Sequence, residues 1–192
     1  MTTIPDFIVP PTGITTTIAW SINGQSTYAF EGNILVSASI LPWTATMLGM
    51  ESVDALLDLA QTVDSTQGVS LVPAHVGLGA PHWEADARGL ICGLSFGSGP
   101  AHIARAAAES MAFQVHDIFT IMTKAASGIG RLFVDGGPSR NTFLMQGAAD
   151  ALDHTVTPCK NSEASASGAA HLAGLATGFW PDLDALGALA NH

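Results

Sequence analysis

The stretch from Ala101 to about Lys124 constrains the fold most. Ile103, Ala106, Ala107, Met111, Val115 and Ile118 recur along it at helical spacing. No glycine or proline interrupts it, and Gly97-Ser98-Gly99-Pro100 ahead of it supplies a cap and a proline for the first turn, where a missing N–H costs nothing. A long, alanine-rich helix of this kind has to be buried by layers on more than one side. The chain can supply them, because 47% of its 192 residues are apolar and only 11% are charged, about one domain's worth of foldable sequence.

The remaining elements alternate. Ile14 to Phe30 reads as two β-rich runs around Asn23-Gly24, the strongest short-range hairpin signal. Pro5 to Gly13 carries three prolines and no pairing pattern, so residues 1–13 are expected to be a poorly ordered lead-in, with the domain proper over 14–192. Ile34 to Met50 has helical spacing and is expected to kink at Pro42. Ser52 caps a second predicted helix running to about Val63. Val69 to Pro73 and Gly89 to Ser95 read as strands flanking a tight loop at Val76-Gly-Leu-Gly-Ala-Pro81. After the long helix come a strand at Arg131 to Asp135, a helix to Leu152, and a strand at His154 to Cys159. The alanine- and glycine-dense helix of Glu163 to Phe179 should pack at close range, and a last helix spans Asp182 to Ala190. The order predicts a mixed α/β sheet with helices on its faces and ligands at the carboxyl ends of strands.

Charge narrows the partners. Six Lys and Arg against sixteen Asp and Glu leave a net charge of −10, which repels nucleic acid and anionic lipid. Two cysteines, Cys92 and Cys159, make neither a disulfide framework nor a four-ligand zinc site, and the seven histidines form no ligand-spaced pair. No apolar run reaches the ~20 residues of a spanning helix, and the N-terminus lacks a signal-peptide pattern, so the expected setting is cytoplasmic.

Phe133-Val-Asp-Gly-Gly137 followed by Pro138-Ser-Arg-Asn141 reads as a strand, a diglycine turn and a helix start. Such geometry can bring backbone amides up to a nucleotide or anion, with Asn141 reaching a base or ribose. It can equally be a plain turn with Asn141 as a helix cap. Gly77-Leu-Gly-Ala-Pro81-His-Trp83 could line a pocket or form a structural corner, but it lacks the Lys-Ser or Lys-Thr ending of a phosphate loop. Glu84 and Asp86 near Arg88 fit acid–base chemistry or, more simply, a solvated turn with a local ion pair.

Eight words occur in order: Tyr28-Ala-Phe-Glu-Gly32, Val72-Pro-Ala-His-Val-Gly-Leu-Gly-Ala-Pro-His-Trp83, Ala87-Arg-Gly89, Gly93-Leu-Ser95, Ala101-His-Ile-Ala-Arg-Ala106, Val134-Asp-Gly-Gly137, Asn141-Thr-Phe-Leu-Met-Gln146 and Gly168-Ala-Ala-His-Leu-Ala-Gly-Leu-Ala176. Together they resemble the C-terminal domain of the FGGY carbohydrate kinases, nearest in wording to the glycerol kinases among them. The resemblance implies a ribonuclease-H-like domain of the actin-like ATPase class. It also implies transfer of the γ-phosphate of ATP, with magnesium, to a hydroxyl of glycerol, another polyol or a ketose. Gly136, Gly137 and Asn141 would then face the nucleotide. Ala38 and Pro42, on the first helix after Glu31-Gly32, would stand where related sequences place a Gly and a Gln to approach the nucleotide. No catalytic residue is expected in this chain: the general-base aspartate, the sugar pocket and most of the magnesium site belong to an N-terminal lobe. The chain alone is therefore expected to be inactive. The alternative is a nucleotide-binding or interaction module without chemistry, and assembly into a homo-oligomer is compatible with either.

Overall fold

A computed structural model describes residues 1–4, 6–126, 128–160 and 163–190. Pro5 of the expected lead-in, Ser127 of the loop after the long helix, and His192 lie outside the described residues.

The hairpin forms as the Asn-Gly signal requires. Strands β2 (Thr15–Ile22) and β3 (Gln25–Glu31) pair antiparallel around Asn23 and Gly24, both at positive φ (53° and 78°). The segment read as a lead-in contributes a strand: β1 (Thr2–Ile4) pairs antiparallel with β3, giving the order β1-β3-β2. Its small size hid it, since three residues carry no readable alternation. Strands β4 (Ser70–Val72) and β5 (Leu90–Cys92) form a second antiparallel pair, and β6 (Leu132–Val134) and β7 (Val156–Pro158) a parallel one. The mixed α/β class thus holds, with the strands divided among three small sheets.

Helix α1 spans Ile40–Met47, much shorter than the Ile34 to Met50 run, so Pro42 falls in its first turn and not at a mid-helix kink. Pro42 is its third residue, among the first N–H positions that have no intrahelical acceptor, so the proline opens the helix instead of breaking it. Helix α2 (Val53–Ala60) starts at Ser52, whose Oγ accepts from the Ala55 N–H at 3.0 Å. Helix α3 (Pro100–Ala125) has 26 residues, about 39 Å at 1.5 Å per residue. It packs against α1, α2, β4 and α4 (Thr142–Leu152).

Two cores lie along α3. Ala104, Ala106, Ala107 and Ala108 meet Ile40, Leu41, Leu56, Leu57, Val69 and Leu144 near its start. Ile118 and Met122 meet Ile4, Ile14, Phe30 and Ala80 further on. Alanines on the first stretch allow α1, α2 and α4 to approach the helix closely. Arg105 ties this end together: its Nε donates to Glu109 at 2.8 Å, its Nη1 to the Val63 carbonyl at 2.5 Å, and its guanidinium lies 5.6 Å from the Phe143 ring centroid. Helix α5 (Ala164–Ala176) buries none of its residues, and α6 (Leu183–Ala190) follows it. Close approach occurs at Gly174, where a built Cβ would come within 2.5 Å of the Trp180 ring.

Gly147 lies in the middle of α4, and a Cβ built there would meet nothing within 4 Å. Gly147→Ala is expected to raise the unfolding free energy by about 0.5–1 kcal/mol, because the glycine's extra backbone freedom is lost on folding without any packing return. A urea midpoint at or below that of the parent chain would contradict this.

Candidate functional site

The carboxyl end of β6 runs through Asp135 to Gly136, which has φ 86° and ψ 174°, a conformation that a residue with a Cβ adopts only with strain. The backbone then makes a single 3₁₀ turn over Gly137–Arg140, so the diglycine leads to α4 indirectly. Ser139 closes the turn, its Oγ donating to the Gly136 carbonyl at 2.7 Å and its N–H to the same oxygen at 3.1 Å. Asn141 is the N-cap of α4: its Oδ1 accepts from the Leu144 N–H at 3.1 Å. Capping uses the oxygen only, and the Nδ2 amide has no partner among the described residues.

This turn and cap form one side of a cavity of about 280 Å³ whose other side is the start of α1 and α2. Four of the five residues expected near the nucleotide line this one cavity, Gly137 and Asn141 on one side and Ala38 and Pro42 on the other, and Gly136 stands directly behind Gly137. Ala38 lies just before the α1 cap and lends its carbonyl to the Leu41 N–H at 3.1 Å. Pro42 presents a ring in the first turn of α1 and has no side-chain donor. Leu41, Leu57 and Leu144, all buried members of the first core, make the apolar floor. Asp54, in the first turn of α2, supplies a carboxylate where the helix dipole favours negative charge. Sequence reasoning passed over Asp54. The Ser52 cap two residues before it was the available signal, since it fixes which face of α2 opens the helix.

Gly137 differs from its neighbour. It is not at positive φ, and a Cβ built on it would meet no atom within 4 Å. Neither backbone strain nor packing calls for a glycine there. Among the described residues no three His, Cys, Asp or Glu side chains come together in a metal-holding group. Asp54 is the single carboxylate lining the cavity, so these residues do not by themselves make a magnesium site.

The Gly77 to Trp83 loop is a packed corner and also borders a cavity, since Leu78, Ala80 and His82 line one of about 280 Å³. The Ala80 N–H donates to the Asn33 carbonyl and the Trp83 Nε1–H to the Gly13 carbonyl, each at 2.9 Å. Arg88 forms no ion pair with Glu84 or Asp86. Its Nη1 donates to the carbonyls of Ala85 and Ala87 at 3.1 and 2.7 Å, while the Glu84 carboxylate accepts from the Asp86 N–H. Cys92 and Cys159 are both free thiols. Among the described residues no helix is long and apolar enough to cross a membrane.

Helices packed on small sheets match sugar kinases of the actin-like ATPase fold. Ligand-bound xylulose kinase from Lactobacillus acidophilus superposes on 98% of this chain with a TM-score of 0.86 at 23% identity, using 38% of its own length. Plasmodium falciparum glycerol kinase, solved with ADP, covers 92% of the chain with a TM-score of 0.81 at 33% identity, over 36% of its length. In sequence, residues 1–177 match the C-terminal domain of the FGGY family of carbohydrate kinases, and the chain belongs to that family. An apulose kinase from Pectobacterium atrosepticum is 45% identical over the whole chain, and a glycerol kinase from Rhodopirellula baltica 48% identical over 90% of it. The chain spans 39% and 32% of those two relatives.

Proposed function

We propose that this domain is the nucleotide-binding lobe of an ATP-dependent carbohydrate kinase, holding the purine end of ATP in the cavity between α1, α2 and the turn before α4. The observation that carries the reading is Gly137: a glycine that the protein's own packing does not require, on the wall of a cavity. Close approach of a ligand to the backbone there accounts for it. Pro42, Leu57 and Leu144 would sandwich the base, and the Asn141 Nδ2–H and the Asp54 carboxylate would offer it a donor and an acceptor. A likeness to a glycerol kinase solved with ADP supports the same assignment. At about 280 Å³ the cavity falls just short of the ~300–1,000 Å³ of whole ligand pockets, as expected if it covers one end of the nucleotide.

Phosphoryl transfer needs acceptor hydroxyl, γ-phosphate and metal aligned, with charge stabilised from several sides. This wall offers one side. The remaining parts, including the metal ligands and the base that takes the proton from glycerol, another polyol or a ketose, would come from a further lobe. The 192-residue chain alone should phosphorylate none of these above background, and turnover by it would overturn the half-site reading.

The nucleotide assignment is tested by calorimetric titration of magnesium-ADP. Gly137→Val should fold with stability within about 1 kcal/mol of the parent, because the built Cβ meets open space, yet weaken binding at least tenfold. Asn141→Ser keeps a good cap while removing the amide donor, so it should lose affinity without losing stability. Equal affinity in all three proteins would rule the cavity out.

A further inference from the structure

On the opposite side of the α1 start lies a second cavity, of about 430 Å³. Its floor comes from β4 and β5 through Leu71 and Ile91, and its walls from Trp43, His75 and Arg88. The Trp43 and His75 rings stand edge to face with centroids 4.2 Å apart, and Trp43 keeps 42% of its surface exposed. His75 is wedged against Gly89, where a built Cβ would come within 3.0 Å of its Cε1, and its buried Nδ1 has no hydrogen-bond partner.

Charge sets this cavity apart. The chain has only six Lys and Arg against sixteen acids, and three further cavities among the described residues are each lined by at least one aspartate: Asp54, Asp117, or Asp182 with Asp184. This one is lined by Arg88 and by no carboxylate. The Arg88 Nη1 is occupied by the carbonyls of Ala85 and Ala87, which hold the guanidinium in place, while Nε and Nη2 have no partner among the described residues. A partly exposed indole and an anchored guanidinium lining one cavity with an aliphatic floor fit a ligand with a flat ring and one anionic group.

We propose that the Trp43–His75–Arg88 cavity is a binding site for a small planar organic anion, separate from the candidate nucleotide cavity. The ring stacks on Trp43 and the carboxylate or equivalent group pairs with Arg88.

The probe is indole-3-acetate, titrated into the 192-residue chain and followed by ligand saturation-transfer NMR. Indole-3-acetamide, the same ring without the charge, is run in parallel. Saturable binding is expected for the acid, at least tenfold weaker for the amide and at least tenfold weaker in Arg88→Gln. Asn141→Ser should leave it unchanged, which separates this site from the nucleotide reading. Absence of saturable binding, equal affinity for acid and amide, or full affinity in Arg88→Gln would each overturn the proposal. The acid–amide comparison uses the parent chain and so decides the matter even if Arg88→Gln fails to fold.

Discussion

Phe30→Ala should lower the unfolding free energy by about 3–5 kcal/mol, the usual cost of emptying a fully buried aromatic site. Phe30 has no exposed surface and lies among Ile4, Ile14, Ala80, Ile118 and Met122. It sits on the central strand of its sheet, opposite Thr2 on one side and Thr16 on the other. Its side chain therefore joins β1, the residue ahead of β2, the α3 helix and the Gly77 to Trp83 corner at once. Partial collapse is blocked by backbone on the sheet side, so the cavity term adds to the lost transfer energy. Single domains carry about 5–15 kcal/mol in total, and the variant would spend a large part of that. Urea unfolding followed by circular dichroism reads the change, with the midpoint falling and the slope held. A loss below about 1 kcal/mol would mean that this second core contributes little.

Gly79→Ala is the other large effect, about 3 kcal/mol of destabilisation. A Cβ on Gly79 would overlap the Asn33 carbonyl oxygen and come within 3.2 Å of Leu35 Cγ. Backbone cannot step aside as a flexible side chain can, so overpacking of about 1–3 kcal/mol is expected. The same carbonyl accepts the Ala80 N–H at 2.9 Å, and displacing it forfeits about 1 kcal/mol more. The contrast with Gly147→Ala is informative, since the same chemical change has opposite signs at a crowded loop and an open helix position. Equal melting temperatures for Gly79→Ala and the parent chain would refute the packing account.

Much of this was legible because the signals are local. Asn23-Gly24 specifies a hairpin turn, Ser52 a helix start, and the run after Pro100 a buried helix, each through bonds within a few residues. Strand partnership was not legible. Whether Thr2–Ile4 pairs with β3, or Leu132–Val134 with Val156–Pro158, depends on contacts far apart in sequence and on strands only three residues long. Pro42 misled for a related reason: a proline breaks a helix or opens one according to where the helix begins, and nothing near it in sequence marks Ser39 as the cap. Around the candidate nucleotide cavity, the Asp-Gly-Gly word and Asn141 pointed to one wall. Asp54 and the leucine floor came from elements whose approach only the tertiary packing defines.

Helix α3 runs through both hydrophobic clusters, which gives the domain a single spine. Damage at the hairpin end should be felt at the far end: loosening Phe30 draws on the same rod that supports Leu144 and, through it, the Asn141 cap. The chain should accordingly melt in one step, with no surviving half. Substitutions remote from the candidate nucleotide cavity would then thin out the folded population while leaving untouched any intrinsic affinity of the folded molecules.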